Sequence, residues 1–147
     1  MPNIFMVEAA DSIVDRSIDL LVDTLKLALV KSGYVANADD QFIDTGGAND
    51  VVDHRLAGTT DQTLSGKVLG KDTTGDFSYL DANDVTFVGV PAGAAATQAV
   101  LYKDTGTPTT SKIIAVFDIP DVTPNGGDIT IQFAAPASGG VLKLQAG

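Results

Sequence analysis

From Leu25 the apolar residues fall on every second position: Leu25, Leu27 and Leu29 alternate with Thr24, Lys26 and Ala28. Successive side chains of a pleated strand point to opposite faces, so this period marks a half-buried strand rather than a helix. The alternation begins near Ser17, and Ile18-Asp19-Leu20 is expected to form a short partner strand with the turn at Val22-Asp23. The same period returns over residues 112–118, where Ile113, Ala115 and Phe117 face one side and Ile114, Val116 and Asp118 the other. Both of its faces are apolar over most of its length, which places it centrally in a sheet. Residues 99–103 form the strand before it, across the loop 104–111.

A second pair is expected at the end of the chain, over residues 128–133 and 141–144, where Ile129, Ile131 and Phe133 alternate with Thr130 and Gln132. Phe77-Ser78-Tyr79-Leu80 and Val85-Thr86-Phe87-Val88 flank Asp81-Ala82-Asn83-Asp84, whose polar residues suit a turn. Composition agrees. All but one of the 19 acidic residues are Asp, the exception being Glu8, and there are 15 Gly. Asp favours turns and caps because its short carboxylate bonds to nearby backbone. Short strands spaced by about 8–12 residues with such turns predict a mainly β protein, an antiparallel β-sandwich or small barrel. No internal repeat of about 20–50 residues is present.

Two regions read differently. Residues 7–15 suit a short helix, although the apolar positions do not form a clean stripe; the alternative is an arm that orders against a neighbour. Residues 1–16 are therefore set apart as an arm or short helix, and residues 17–147 as the β domain. Residues 33–75 are rich in Asp, Gly, Thr and Asn, with strands expected only at 64–69 and 51–56. So long an excursion inside one domain points to a functional or variable segment.

At 147 residues the chain suits a single domain. It has no cysteine, which removes disulfides and thiolate metal sites. No apolar run is long enough to cross a bilayer as a helix, and Met1-Pro2-Asn3-Ile4 does not resemble a signal peptide, so no membrane association is expected. The formal net charge is -10, and the nine cations are scattered singly. Nucleic acid binding needs a basic patch to replace phosphate counterions, so no nucleic acid partner is expected.

No catalytic constellation stands out, and the chain is read as a non-enzyme without a cofactor or metal. His54 is the only histidine, in Asp50-Val51-Val52-Asp53-His54-Arg55, and no serine sits in a Gly-x-Ser-x-Gly turn. One His and no Cys do not make a zinc site within one chain. Asp39, Asp40, Asp44, Asp50 and Asp53 crowd a Gly-containing segment, but their spacing departs from the EF-hand pattern. That segment reads as a solvated loop, with calcium or a host receptor as open alternatives. The apolar start, Ile4, Phe5, Met6 and Val7, either covers the domain's own core or docks on a neighbouring subunit. On the second reading, deleting residues 1–8 weakens attachment more than stability.

Several blocks carry a resemblance. They are Asp23-Thr24-Leu25-Lys26-Leu27-Ala28-Leu29-Val30 with Tyr34, Leu80-Asp81-Ala82-Asn83-Asp84-Val85-Thr86-Phe87, and Ala99-Val100-Leu101-Tyr102-Lys103-Asp104-Thr105-Gly106-Thr107. Ile113 to Asp118, Ile129-Thr130-Ile131-Gln132-Phe133 and Val141-Leu142-Lys143-Leu144 continue it. Together they resemble a family of small virion structural proteins of tailed bacteriophages, over residues 18–144 but not between Phe42 and Asp76. The resemblance implies a capsid decoration (cement) protein on the head exterior, with the major capsid protein or other virion subunits as partners. Tail, connector or host-surface fibre roles are the alternatives. A homo-oligomer, trimer or dimer, suits the symmetry axes that shells offer.

Overall fold

The computed structural model describes residues 4–145. The first three residues of the expected arm and the last two of the expected domain lie outside the described residues. In chain order the elements are β1 (Ile4–Phe5), α1 (Val7–Val14), β2 (Leu25–Lys31), α2 (Val51–His54), β3 (Gln62–Thr63) and β4 (Val68–Asp72). Then follow β5 (Phe77–Asp81), β6 (Val85–Phe87), β7 (Ala96–Lys103), β8 (Ile113–Val122), β9 (Ile129–Ile131) and β10 (Leu142–Gln145). The protein is mainly β, as its turn-rich, Asp-biased composition predicts. Its ladders are antiparallel: a five-stranded sheet β1-β8-β7-β2-β3, a three-stranded sheet β10-β5-β4 and a pair β6-β9.

Register sorts the side chains of the large sheet. Leu27 lies opposite Leu101, which lies opposite Ala115, which lies opposite Phe5. Directly paired residues share a face, so these form one apolar row. The neighbouring row, Ala28, Val100, Val116 and Ile4, lies on the other face. The first face looks towards the small sheets, since Ala115 and Phe117 share a cleft with Leu80 and Leu142. The second is covered by the 34–56 excursion: Ile43 donates its N–H to Ser111 and Leu56 to Leu29, and Tyr34, Ile43, Val51 and Leu56 are buried. Covered on both sides, β7 buries Ala96, Gln98, Ala99, Val100, Leu101 and Tyr102. Each large apolar side chain buried in this way contributes about 1.5–3 kcal/mol.

The helix near the N-terminus forms where expected, but the arm is part of the domain. β1 pairs with β8, the Met6 N–H donates to the Ile114 carbonyl, and Met6 is fully buried. Several local expectations are corrected. Residues 18–20 form a turn rather than a strand, because the Asp19 carboxylate accepts the N–H groups of Leu21 and Val22. Within 51–56 the chain forms the short helix α2 (Val51–His54), after which Arg55 makes a single bridge to Val30. Of 64–69 only the end is strand: Gly66 adopts φ +64 and interrupts the extended chain before β4. The last two strands do not pair with each other; β9 pairs with β6 and β10 with β5. The turn 136–140 redirects the chain, and Val141 donates its N–H to Leu80. Strand β8 runs on to Val122 through Pro120, in a stretch where register with β7 shifts. A bulge is where a strand tolerates a residue without an N–H.

Candidate docking surface

The three-stranded sheet presents two unlike faces. Leu69, Leu80 and Leu142 are paired across its strands, and two residues on lie Lys71, Ser78 and Leu144. The opposite face has its own small cluster, with Tyr79 lying over Gly70. A Cβ at Gly70 would fall 2.4 Å from the Tyr79 ring, which is why a strand interior carries glycine here. Beside it the Phe77 ring centroid is 6.1 Å from that of Tyr79, and the Lys143 ammonium sits 4.2 Å from the Phe77 ring centroid.

The leucine face turns towards Phe5 and Phe117 of the large sheet but does not close on it. The two sheets leave an apolar groove of ≈ 800 Å³, with Ile13 and Leu20 at its side. That volume is in the usual range of binding clefts, about 300–1,000 Å³. Leu69 and Leu144 remain 51% and 47% exposed at its mouth. Charge is distributed unevenly. None of the groove-lining residues is acidic, in a chain with 19 acids. Two cations line it, and while Lys143 is held over Phe77, Lys71 makes no ion pair among the described residues. Strand β4 is also a sheet edge: it pairs with β5 on one side, and no backbone hydrogen bond reaches its other side among the described residues.

The four apolar residues singled out at the start of the chain do not form one surface. Ile4 and Phe5 are half-buried and border the groove from opposite faces of β1, Met6 lies in the core and Val7 is exposed on α1. The groove's other contributors, Leu69, Leu80, Phe117, Leu142 and Leu144, come from four strands. Only the period-two spacing of Leu142 and Leu144 pointed to a shared face, and only the strand register brings Leu69 beside them.

The remaining polar candidates have structural roles. His54 Nδ1 lies 2.9 Å from the Asp50 carbonyl oxygen, and its ring packs against Tyr34 at 6.1 Å. The Asp-rich segment does not converge: among the described residues no three His, Asp or Glu side chains are placed to hold a metal. Asp40 accepts from the Asn37 N–H, and Asp50 accepts from the Thr45 N–H and hydroxyl and the Gly47 N–H. A second, polar concavity of ≈ 380 Å³ contains Asp61, which accepts from Arg55 Nη2 at 2.6 Å and from the Tyr102 hydroxyl at 2.7 Å. Burial, then the neighbouring Asp61 carboxylate, pushes the Tyr102 hydroxyl pKa up. The two bonds to Asp61 brace the 55–61 segment to β7, while Arg55 Nε and Asp61 Oδ1 are closed to solvent without a partner among the described residues.

Compared with family models, curated proteins and solved structures, the chain matches none. Function must therefore be argued from the surface itself.

Asp50 offers a test of the excursion that covers the sheet. Burial alone would raise its carboxyl, but the bonds from Thr45 and Gly47 hold it below the ordinary carboxylate range. A carboxyl lowered on folding stabilises above its unfolded pKa, about 4, and that contribution is lost as pH falls through the folded value. Asp50→Ala is expected to cost about 1–2 kcal/mol at pH 7 and less at pH 2–3. Urea unfolding at the two pH values checks this, and an equal loss at both would contradict it.

Proposed function

We propose that this chain is a non-enzymatic structural subunit of a tailed-bacteriophage particle, a decoration protein that binds the outside of the head through the groove. The observation that carries the reading is the open apolar groove, with Leu69 and Leu144 at its mouth and no acid in its lining, on a chain of net charge -10. Exposed apolar surface rimmed by polar residues marks an interaction site, because leaving it in water forgoes the burial that a partner supplies. The acidic remainder keeps copies soluble and repels packaged DNA, which suits the exterior of a shell. The sequence blocks that resemble small virion proteins supply the phage context. The major capsid protein is the proposed partner, and many equivalent sites would stabilise the shell by mass action. The edge of β4, which no strand pairs among the described residues, also favours a second reading, a tail or connector subunit that joins its sheet to a neighbour's.

Leu69 and Val68 are adjacent, similarly exposed at 51% and 55%, and on opposite faces of β4. Leu69→Glu is expected to weaken co-sedimentation with emptied, expanded heads by about 30-fold or more, since docking would then forgo burying a leucine and would desolvate a charge instead. Val68→Glu is expected to bind like the parent protein. Equal binding by both variants would rule out the groove, and failure of the parent protein to sediment would rule out the head.

A further inference from the structure

We infer that the groove takes an extended segment of a partner protein, added as a fourth strand along the free edge of β4, with an acidic side chain against Lys71 and an apolar one against Leu69. The inference deepens the docking reading above and rests on it. Three observations on different groups meet here. The outer edge of β4 offers backbone donors and acceptors that no other segment uses among the described residues. Such an edge binds extended chains through main-chain hydrogen bonds, while alternate side chains supply specificity. Leu69 and Lys71 are two residues apart and therefore share the groove face, so both meet the same side of an incoming strand.

The charge pattern then selects the partner. Lys71 makes no ion pair among the described residues and no acid lines the groove, so an anionic side chain meets a free cation on the groove face. The three-stranded sheet is antiparallel throughout. An added antiparallel strand reverses the order of its contacts, placing its acidic residue two positions before its apolar one. The partner segment thus reads acidic-any-apolar, flanked by β-branched residues that favour the extended chain. The apolar side chain packs beside Leu69, which stands half-exposed at the groove mouth. A small amphiphile such as a fatty acid would match the groove's chemistry but would leave the strand edge unused.

The test uses the full chain, labelled with nitrogen-15, and a blocked eight-residue peptide that alternates threonine with valine, aspartate, leucine and valine. The aspartate peptide is expected to bind and to slow hydrogen exchange at amides of Val68–Asp72. A peptide with lysine in place of the aspartate is expected to bind about tenfold more weakly, and Lys71→Glu to reverse that preference. Equal affinity for the two peptides would overturn the inference, as would slowed exchange at β10 and not at β4. Binding of laurate with no binding of either peptide would also overturn it and make the groove an amphiphile site. If neither peptide binds while Leu69→Glu still abolishes head binding, the strand mode falls and the docking surface stands. If the peptides bind as expected but the heads do not, the inference stands and the head assignment falls.

Discussion

Gly140→Ala is expected to destabilise the protein by about 3 kcal/mol or more and to lower Tm by about 10 °C. Gly140 has φ +59, and a Cβ there would lie 2.5 Å from the Leu80 carbonyl oxygen and 3.1 Å from the Asp81 Cα. Both obstacles are backbone, so no side-chain rotation relieves them. The position joins the chain turn at 136–140 to β5 through a bridge between Gly140 and Leu80, next to the bond from the Val141 N–H to the Leu80 carbonyl. Moving this backbone aside displaces Leu80 and, through it, the floor of the groove. A control separates the clash from the cost of positive φ. Gly106 has φ +82 and nothing within 4 Å of its would-be Cβ, so Gly106→Ala is expected to cost only about 1 kcal/mol. Urea denaturation of the two variants measures the difference, and equal losses would show that Gly140 is required only for its backbone angle.

The contrast between these two glycines shows where the sequence was legible and where it was not. Both lie in turns that Gly marks from composition alone, but only tertiary packing distinguishes them. The strands with strong local signals, β2, β7 and β8, fall close to their expected places because their apolar period is sustained over five or more residues. Pairing was less legible. Residues 128–133 and 141–144 look like a closing hairpin, yet their partners β6 and β5 are more than 40 positions away in the chain, at separations that no local pattern reports. The excursion 33–75 was opaque because its strands are two to five residues long and its order comes from Asp side chains bonded to backbone N–H groups. Such bonds look like solvated loop in one dimension. The groove was half legible: Ile4 and Phe5 stand out in sequence as part of an apolar start that covers the core or docks, whereas Leu69 and Lys71 acquire their meaning only from the register with β5 and β10.

Met6→Ala is expected to cost about 2–5 kcal/mol of stability and to leave head binding by the folded protein unchanged. Met6 is fully buried among the core side chains, and its N–H donates to the Ile114 carbonyl, while the Val7 N–H donates to the Ala38 carbonyl. Truncating a buried thioether leaves a cavity that rigid neighbouring strands do not fill. This runs against the expectation that losing residues 1–8 affects attachment more than stability, because Ile4 and Phe5 close one edge of the large sheet and Met6 plugs its core. The groove residues behave in the opposite sense. Leu69→Glu changes a half-exposed side chain on an edge strand, so its Tm is expected to stay within about 2 °C of the parent while head binding is lost. Thermal melts and co-sedimentation on the same preparations place the two variants on separate axes. A Met6→Ala protein that melts normally but fails to sediment would return the docking role to the start of the chain. A Leu69→Glu protein that melts early would show the groove to be unfinished core. With the expected pair of results, the apolar residues of the chain divide between two roles. Met6 holds the core closed, and Leu69 and Leu144 at the groove mouth stay open for the partner.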